Sequence, residues 1–141
     1  AFAVVIAVGQ MTGSSTIDHF KGLSHSHPFL TFALTVFLLS LAGIPPLGGF
    51  IAKFLVFGAA IESGHVVLAV AGIVNSVIAA YYYLNIIRVM VMVPAPEKRT
   101  VSVSPILSGT IAGLVIIVFF TGLWPASLLN WVAASHFLVP L

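Results

Sequence analysis

Leu39–Phe57 reads LSLAGIPPLGGFIAKFLVF. Its one charge, Lys53, lies inside an apolar run that starts at Pro28 and ends near Glu62. Just ahead of the lysine come Gly43, Pro45, Pro46, Gly48 and Gly49. Proline has no N–H to give a helix, and its ring collides with the preceding turn. The residue before a proline also avoids helical geometry. The stretch therefore reads as a helix that begins at Pro28, breaks over residues 43–49, restarts near Phe50 and ends at Glu62. Each half is too short to cross about 30 Å of hydrocarbon. Together they make one discontinuous crossing; two short helices in a re-entrant hairpin are the alternative. A break at membrane depth survives only where protein or a water-filled cavity satisfies the freed backbone groups. Discontinuous helices near the midplane are a recurring way to build an ion site.

Lys53 is the candidate site residue, a proton relay. A charged side chain at the bilayer centre costs roughly 2.5–3.5 kcal/mol on insertion scales. Removal from water makes a lysine easier to deprotonate, which is the property a relay needs. The bland alternative is a lysine that snorkels to the interface. Position argues against it. Lys53 lies nine residues before Glu62, about 13 Å along a helix, and Pro28 is farther still on the other side. The lysine belongs to the middle third of the crossing, with Gly43, Pro45, Pro46, Gly48 and Gly49 forming the break that supports it.

Composition puts the rest of the chain in the same medium. Of 141 residues, 60% are hydrophobic and only 6% charged, where soluble domains run near a quarter charged. Mean hydropathy is +1.21. The apolar runs are too long and continuous for barrel strands, which alternate over about ten residues. The expected class is an all-α integral membrane protein embedded in a lipid bilayer. With no cysteine, there is no disulfide, thiol chemistry or iron–sulfur ligation in this sequence. Five scattered basic residues are too few for a nucleic-acid surface, so no nucleic-acid partner is expected.

In chain order, residues 1–9 read as the tail of a membrane helix whose start lies outside this sequence, so a C-terminal piece of a longer protein is expected. Residues 10–27 read as a polar loop, with a short surface helix opening at Thr16–Asp18 and running to about Leu23. His25 and His27 flank a serine and lack a third ligand nearby, so a wet loop is expected there and no metal site. After the discontinuous helix of residues 28–62, residues 65–93 form the next span. Its small residues Gly72, Ser76, Ala79 and Ala80 favour close helix contact. Asn75 and Ser76 place polar groups near its centre, as candidate neighbours of the relay. Tyr81, Tyr82 and Tyr83 point around the helix and read as aromatic belt and packing. Residues 94–104 form a second polar loop and residues 105–124 a final span, with Trp124 as an interface anchor. The tail, residues 125–141, reads as a partial amphipathic surface helix. Lys21 shares one side of the membrane with Lys98 and Arg99. The positive-inside rule then puts both long loops in the cytoplasm and the C-terminus outside.

Ser40–Phe57, SLAGIPPLGGFIAKFLVF, is followed about twenty residues later by NSVIAAYYYL, Asn75–Leu84. Together with Lys21-Gly22-Leu23, Pro28 and FLLSLAG, this pattern resembles the C-terminal part of the antiporter-like subunits of proton-pumping NADH:quinone oxidoreductase, respiratory complex I, subunit N above all. The resemblance covers the chain to about Met92. The glycine–proline–lysine core is shared with Mrp-type cation/proton antiporters; the triple tyrosine after Asn75-Ser76 tilts the match to subunit N. The resemblance implies a full protein of about fourteen helices in two inverted repeats, each with a broken helix. In it, Lys53 matches the lysine of the second broken helix, on a central hydrophilic axis that carries protons coupled to quinone reduction. NADH, FMN, iron–sulfur clusters and quinone would sit on other subunits, with no cofactor in this chain and other membrane-arm subunits as partners. The implied location is a bacterial plasma membrane, or else a thylakoid or mitochondrial inner membrane. Family members usually carry an arginine directly after the tyrosines and leucine. Here Asn85 stands there and Arg88 follows one turn later, so no role is carried onto that position. Two other functions stay open: a subunit of a multi-subunit sodium/proton antiporter, and a structural membrane subunit without transport.

Overall fold

A computed structural model describes residues 1–12, 16–94, 103–126 and 130. Among these the chain is helical and has no strand. The elements are α1 (Phe2–Thr12), a 3₁₀ turn (Ile17–Phe20), α2 (Leu23–Ser26), α3 (Pro28–Ala42), α4 (Gly48–Glu62), α5 (Val66–Met92) and α6 (Pro105–Leu123). At 27 and 19 residues, α5 and α6 reach about 40 and 28 Å, long and apolar enough to cross a bilayer. The two 15-residue helices α3 and α4 reach only about 22 Å each.

α3 and α4 lie end to end along α5, which runs antiparallel to both. Phe57 of α4 meets Gly72 in the first half of α5. Ala42 and Gly43 share a cleft with Ser76 and Ala80, at the middle of α5. Beyond that point Tyr83, Ile86, Ile87 and Met90 join the core with Leu30 and Leu34 of α3, and with Phe20 and Leu23 of the preceding loop. A hairpin would fold α4 back beside α3. The contacts instead carry α4 onward past the middle of α5.

The break follows from its residues. Gly43 adopts the left-handed conformation, φ +87°, which an L side chain rarely takes. It closes α3 with Gly43 N–H donating to Ser40 O at 3.0 Å and Ile44 N–H donating to Leu39 O at 3.1 Å, a Schellman closure. Leu47, extended and buried, leads into α4. The restart comes at Gly48, two residues before the expected Phe50, because glycines place no side chain in the crowded junction. A Cβ on Gly49 would land on the carbonyl oxygen of Ser40.

One further detail differs from the sequence reading. The single surface helix expected from Thr16 to about Leu23 is two short pieces, parted at Gly22, which is also left-handed at φ +64°. α6 ends at the break: a Cβ on Gly122 would meet Pro46 O, and one on Gly48 would meet Thr121 Oγ1. Trp124 follows Gly122 by two residues, about 3 Å along the helix, so the end of α6 lies level with the break and with the middle of α5. The expected loop of residues 94–104 and tail of residues 125–141 lie largely outside the described residues.

The core lies toward the α3 end. Val4, Val8, Leu30, Leu34, Met90 and Ile111 are its fully buried large side chains. By contrast α4 buries no residue, and the first half of α5 buries only Ala69. Gly122→Ala is expected to lower the melting temperature of the full-length protein in detergent, through an overpacking cost of about 1–3 kcal/mol. Gly113→Ala, where a Cβ meets nothing within 4 Å, is expected to leave it unchanged.

Candidate functional site

Lys53 occupies the sixth position of α4, and its side chain turns back toward the break. Its Nζ donates to the carbonyl oxygen of Ala42, the last residue of α3, at 3.1 Å. The last carbonyls of any helix have no partner within it, and the C-terminal end carries partial negative charge. An ammonium on Ala42 O answers both needs. The methylenes of the same side chain lie over Gly43, with Cδ 3.1 Å from where a Cβ would stand.

The opposite end of the junction is satisfied in the same way. The first N–H groups of α4 lack helical acceptors, and Leu47 offers no side-chain cap. The Gly49 N–H donates instead to Ser40 Oγ at 3.0 Å, across nine residues of chain. α3 thus caps α4 through Ser40, and α4 caps α3 through Lys53.

Lys53 opens onto a cleft of about 320 Å³, lined by Phe50, Phe54 and Phe57 of α4 and by Ile73, Ser76 and Ala80 of α5, with Ala42 and Gly43 at its rim. The walls are chiefly apolar, and the Ser76 hydroxyl adds one polar group. Of the two polar residues expected near the lysine, Ser76 lines the cleft, while Asn75 is exposed and lies outside it. One position of difference turns a side chain about 100° around a helix. Gly43 borders the cleft directly, Gly48 and Gly49 pack against Thr121 and Ser40, and Pro45 and Pro46 lie in the exposed loop between the half-helices. Sequence reasoning overlooked Ser40 as a cap, and overlooked Thr121 and Gly122 against the break. The signal for the second was a small residue pair just before Trp124-Pro125; the first left none, because its partner is fixed by folding.

The arrangement can hold an amine in a chiefly apolar cleft, donate from it to a helix-end carbonyl, and pass a proton to a group or water in the cleft. No metal-binding cluster of His, Cys, Asp or Glu exists among the described residues.

A sequence profile described as "NADH:quinone oxidoreductase/Mrp antiporter, TM" matches residues 1–79. The chain belongs to this family. That assignment makes it a membrane protein, and the matched stretch contains the whole interrupted helix with Lys53. Over 141 residues it is 40% identical to a protein of Dehalococcoides mccartyi named NADH-quinone oxidoreductase subunit N, covering 99% of this chain and 29% of that protein. A Methylobacterium nodulans protein of the same name is 53% identical over 93 residues, 64% of this chain and 19% of its own length. The chain therefore spans less than a third of the length of these relatives. Among solved structures, respiratory complex I from Thermus thermophilus with bound aureothin contains a chain that superposes with a TM-score of 0.72 at 30% identity. The match covers 78% of this chain and 26% of that one.

The Asp18–Lys21 ion pair, 2.6 Å long, lies in the loop before α2, remote from the cleft in sequence. Its hydrogen bond from Lys21, and then the Lys21 charge, hold the Asp18 carboxyl below the usual carboxylate range. A depressed carboxylate contributes stability above its unfolded-state pKa and loses it as pH falls through the folded value. Lys21→Ala is expected to return the Asp18 titration, followed by carboxyl NMR, to the ordinary range. Because the pair is exposed, no measurable loss of melting temperature at neutral pH is expected.

Proposed function

We propose that this chain is the part of a proton-translocating membrane subunit that carries one of its lysine relays, with Lys53 as the group that takes and releases the proton. The single observation that carries this reading is the lysine seated on an interrupted helix, level with the middle of α5, in a chain of the antiporter-type family. The interrupted helix supplies polar backbone groups at depth, where an intact helix would present none. Ser76 offers a hydroxyl to a water in the cleft. Asn75 faces away from the cleft and has no part in it.

The names of the relatives support NADH:quinone oxidoreductase, the respiratory complex I, as the assembly. In this reading the full subunit has about fourteen helices and the remainder of it covers α4. Neighbouring membrane-arm subunits pack on the outside, and quinone reduction elsewhere drives the protons. NADH, FMN and iron–sulfur chemistry belong to other subunits. The membrane is the bacterial plasma membrane, the loops containing Lys21, Lys98 and Arg99 face the cytoplasm, and the C-terminus faces out.

A second reading keeps the site and changes the assembly. The family description also covers Mrp antiporters, and a subunit of a sodium/proton antiporter would use the same lysine. Transport that depends on sodium and persists without an electron donor separates it from the first.

The test is proton pumping per electron in membrane vesicles, after checking assembly on a native gel. Lys53→Ala is expected to assemble and to slow proton transfer through this subunit about a hundredfold, the lower end for loss of a general acid–base group. Lys53→Arg is expected to be nearly as poor, because a guanidinium stays protonated. Normal pumping by an assembled Lys53→Ala complex would leave only a structural subunit.

A further inference from the structure

The structure assigns Ser40 as a positioning residue for Lys53, acting through the α3–α4 junction. The inference rests on Lys53 being the proton-transferring group proposed above.

The reach of Lys53 to the Ala42 carbonyl spans eleven residues of chain and the whole break. The distance is therefore set by how far the end of α3 stands from the start of α4. One side-chain bond crosses that gap near the lysine: Ser40 Oγ accepting from Gly49 N–H at 3.0 Å. Ser40 is itself buried, 7% exposed. It lies two residues before the carbonyl that receives Lys53, and Gly49 lies four residues, about one turn, before the lysine. The bond ties the two ends of the lysine contact together. Gly49 completes the fit, since its missing side chain lets the backbone of α4 rest on the Ser40 carbonyl. From the far side, Thr121 and Gly122 of α6 abut Pro46 and Gly48.

Loss of the Ser40 hydroxyl would leave the Gly49 N–H without an acceptor in a part-buried site, where an orphaned donor is costly. The start of α4 would then move to find another partner, and the amine would leave the Ala42 carbonyl. Packing alone would not suffer in the same way, because an alanine fills nearly the same space. What changes is the environment in which Lys53 binds its proton. No other titratable or charged side chain lines the cleft from α3, α4 or α5 among the described residues, and Val118, Thr121 and Gly122, by which α6 meets the junction, do not titrate. A displaced pH profile would thus report on Lys53.

The experiment places Ser40→Ala and Ser40→Thr in the full-length subunit of the assembled complex, with Lys53→Ala as reference. Proton pumping per electron is read in vesicles across a range of pH. Ser40→Ala is expected to pump about fivefold less through this subunit, the factor set by one net hydrogen bond, with its pH profile displaced from wild type. Ser40→Thr, which keeps the hydroxyl, is expected to restore both. If Ser40→Ala does not assemble, Ser40→Cys takes its place: it is near-isosteric but a weak acceptor, and the same loss and displacement are expected. Wild-type pumping and profile in these variants, beside a defective Lys53→Ala, would overturn the inference and leave the proposed function standing. So would a loss with an unmoved profile that threonine does not restore. Normal pumping by Lys53→Ala would overturn the proposed function, and this inference with it.

Discussion

Two helix ends that meet inside an apolar layer leave backbone groups without helical partners, and the surrounding protein or a water-filled cavity must satisfy them. In this chain α3 ends with carbonyls that lack helical donors and α4 begins with N–H groups that lack helical acceptors. The two hydrogen bonds across the junction, Lys53 Nζ to Ala42 O and Gly49 N–H to Ser40 Oγ, answer both needs. Lys53 therefore has two duties in one position. It completes the backbone bonding of the break, and it places an amine in a cleft walled by phenylalanines. A charge that would be costly on an uninterrupted helix gains here a carbonyl and the negative end of α3.

The packing around this junction is uneven, and that bears on how the site is held. The core gathers α1, α3, the later half of α5 and the first half of α6 around Leu30, Leu34, Met90 and Ile111. α3 is anchored by this core, with eight of its residues buried. α4 buries none. Among the described residues it meets α3 at the junction, Gly72 of α5 through Phe57, and α6.

Close approach of backbones recurs at each of these contacts. Gly49 on Ser40, Gly122 on Pro46 and Gly72 under the Phe57 ring are all positions where a Cβ would collide. Without a hydrophobic force between helices in lipid, packing of small residues is a main source of association. The same small residues that interrupt α3 and α4 let α6 and α5 seat against the interruption. The profile match to residues 1–79 places this junction in a family whose members include proteins named NADH-quinone oxidoreductase subunit N.

The sequence by itself determined the medium, the helical class and the existence of the break. These depend on local quantities: apolar length, missing charge, and the inability of Gly43, Pro45 and Pro46 to continue a helix. It also singled out Lys53, since one charge in a long apolar run is visible without a fold. Tertiary structure alone decided what the lysine touches. It chose Ala42 O as the partner, brought Ser76 to the cleft and turned Asn75 away. It also recruited Ser40 as the cap of a helix nine residues downstream, and set Thr121–Gly122 at the level of the break. Each of these depends on the relative rotation and depth of separate helices. Apolar sequences specify those only weakly, because every face of such a helix is compatible with lipid, and side-chain contacts across the junction make the choice.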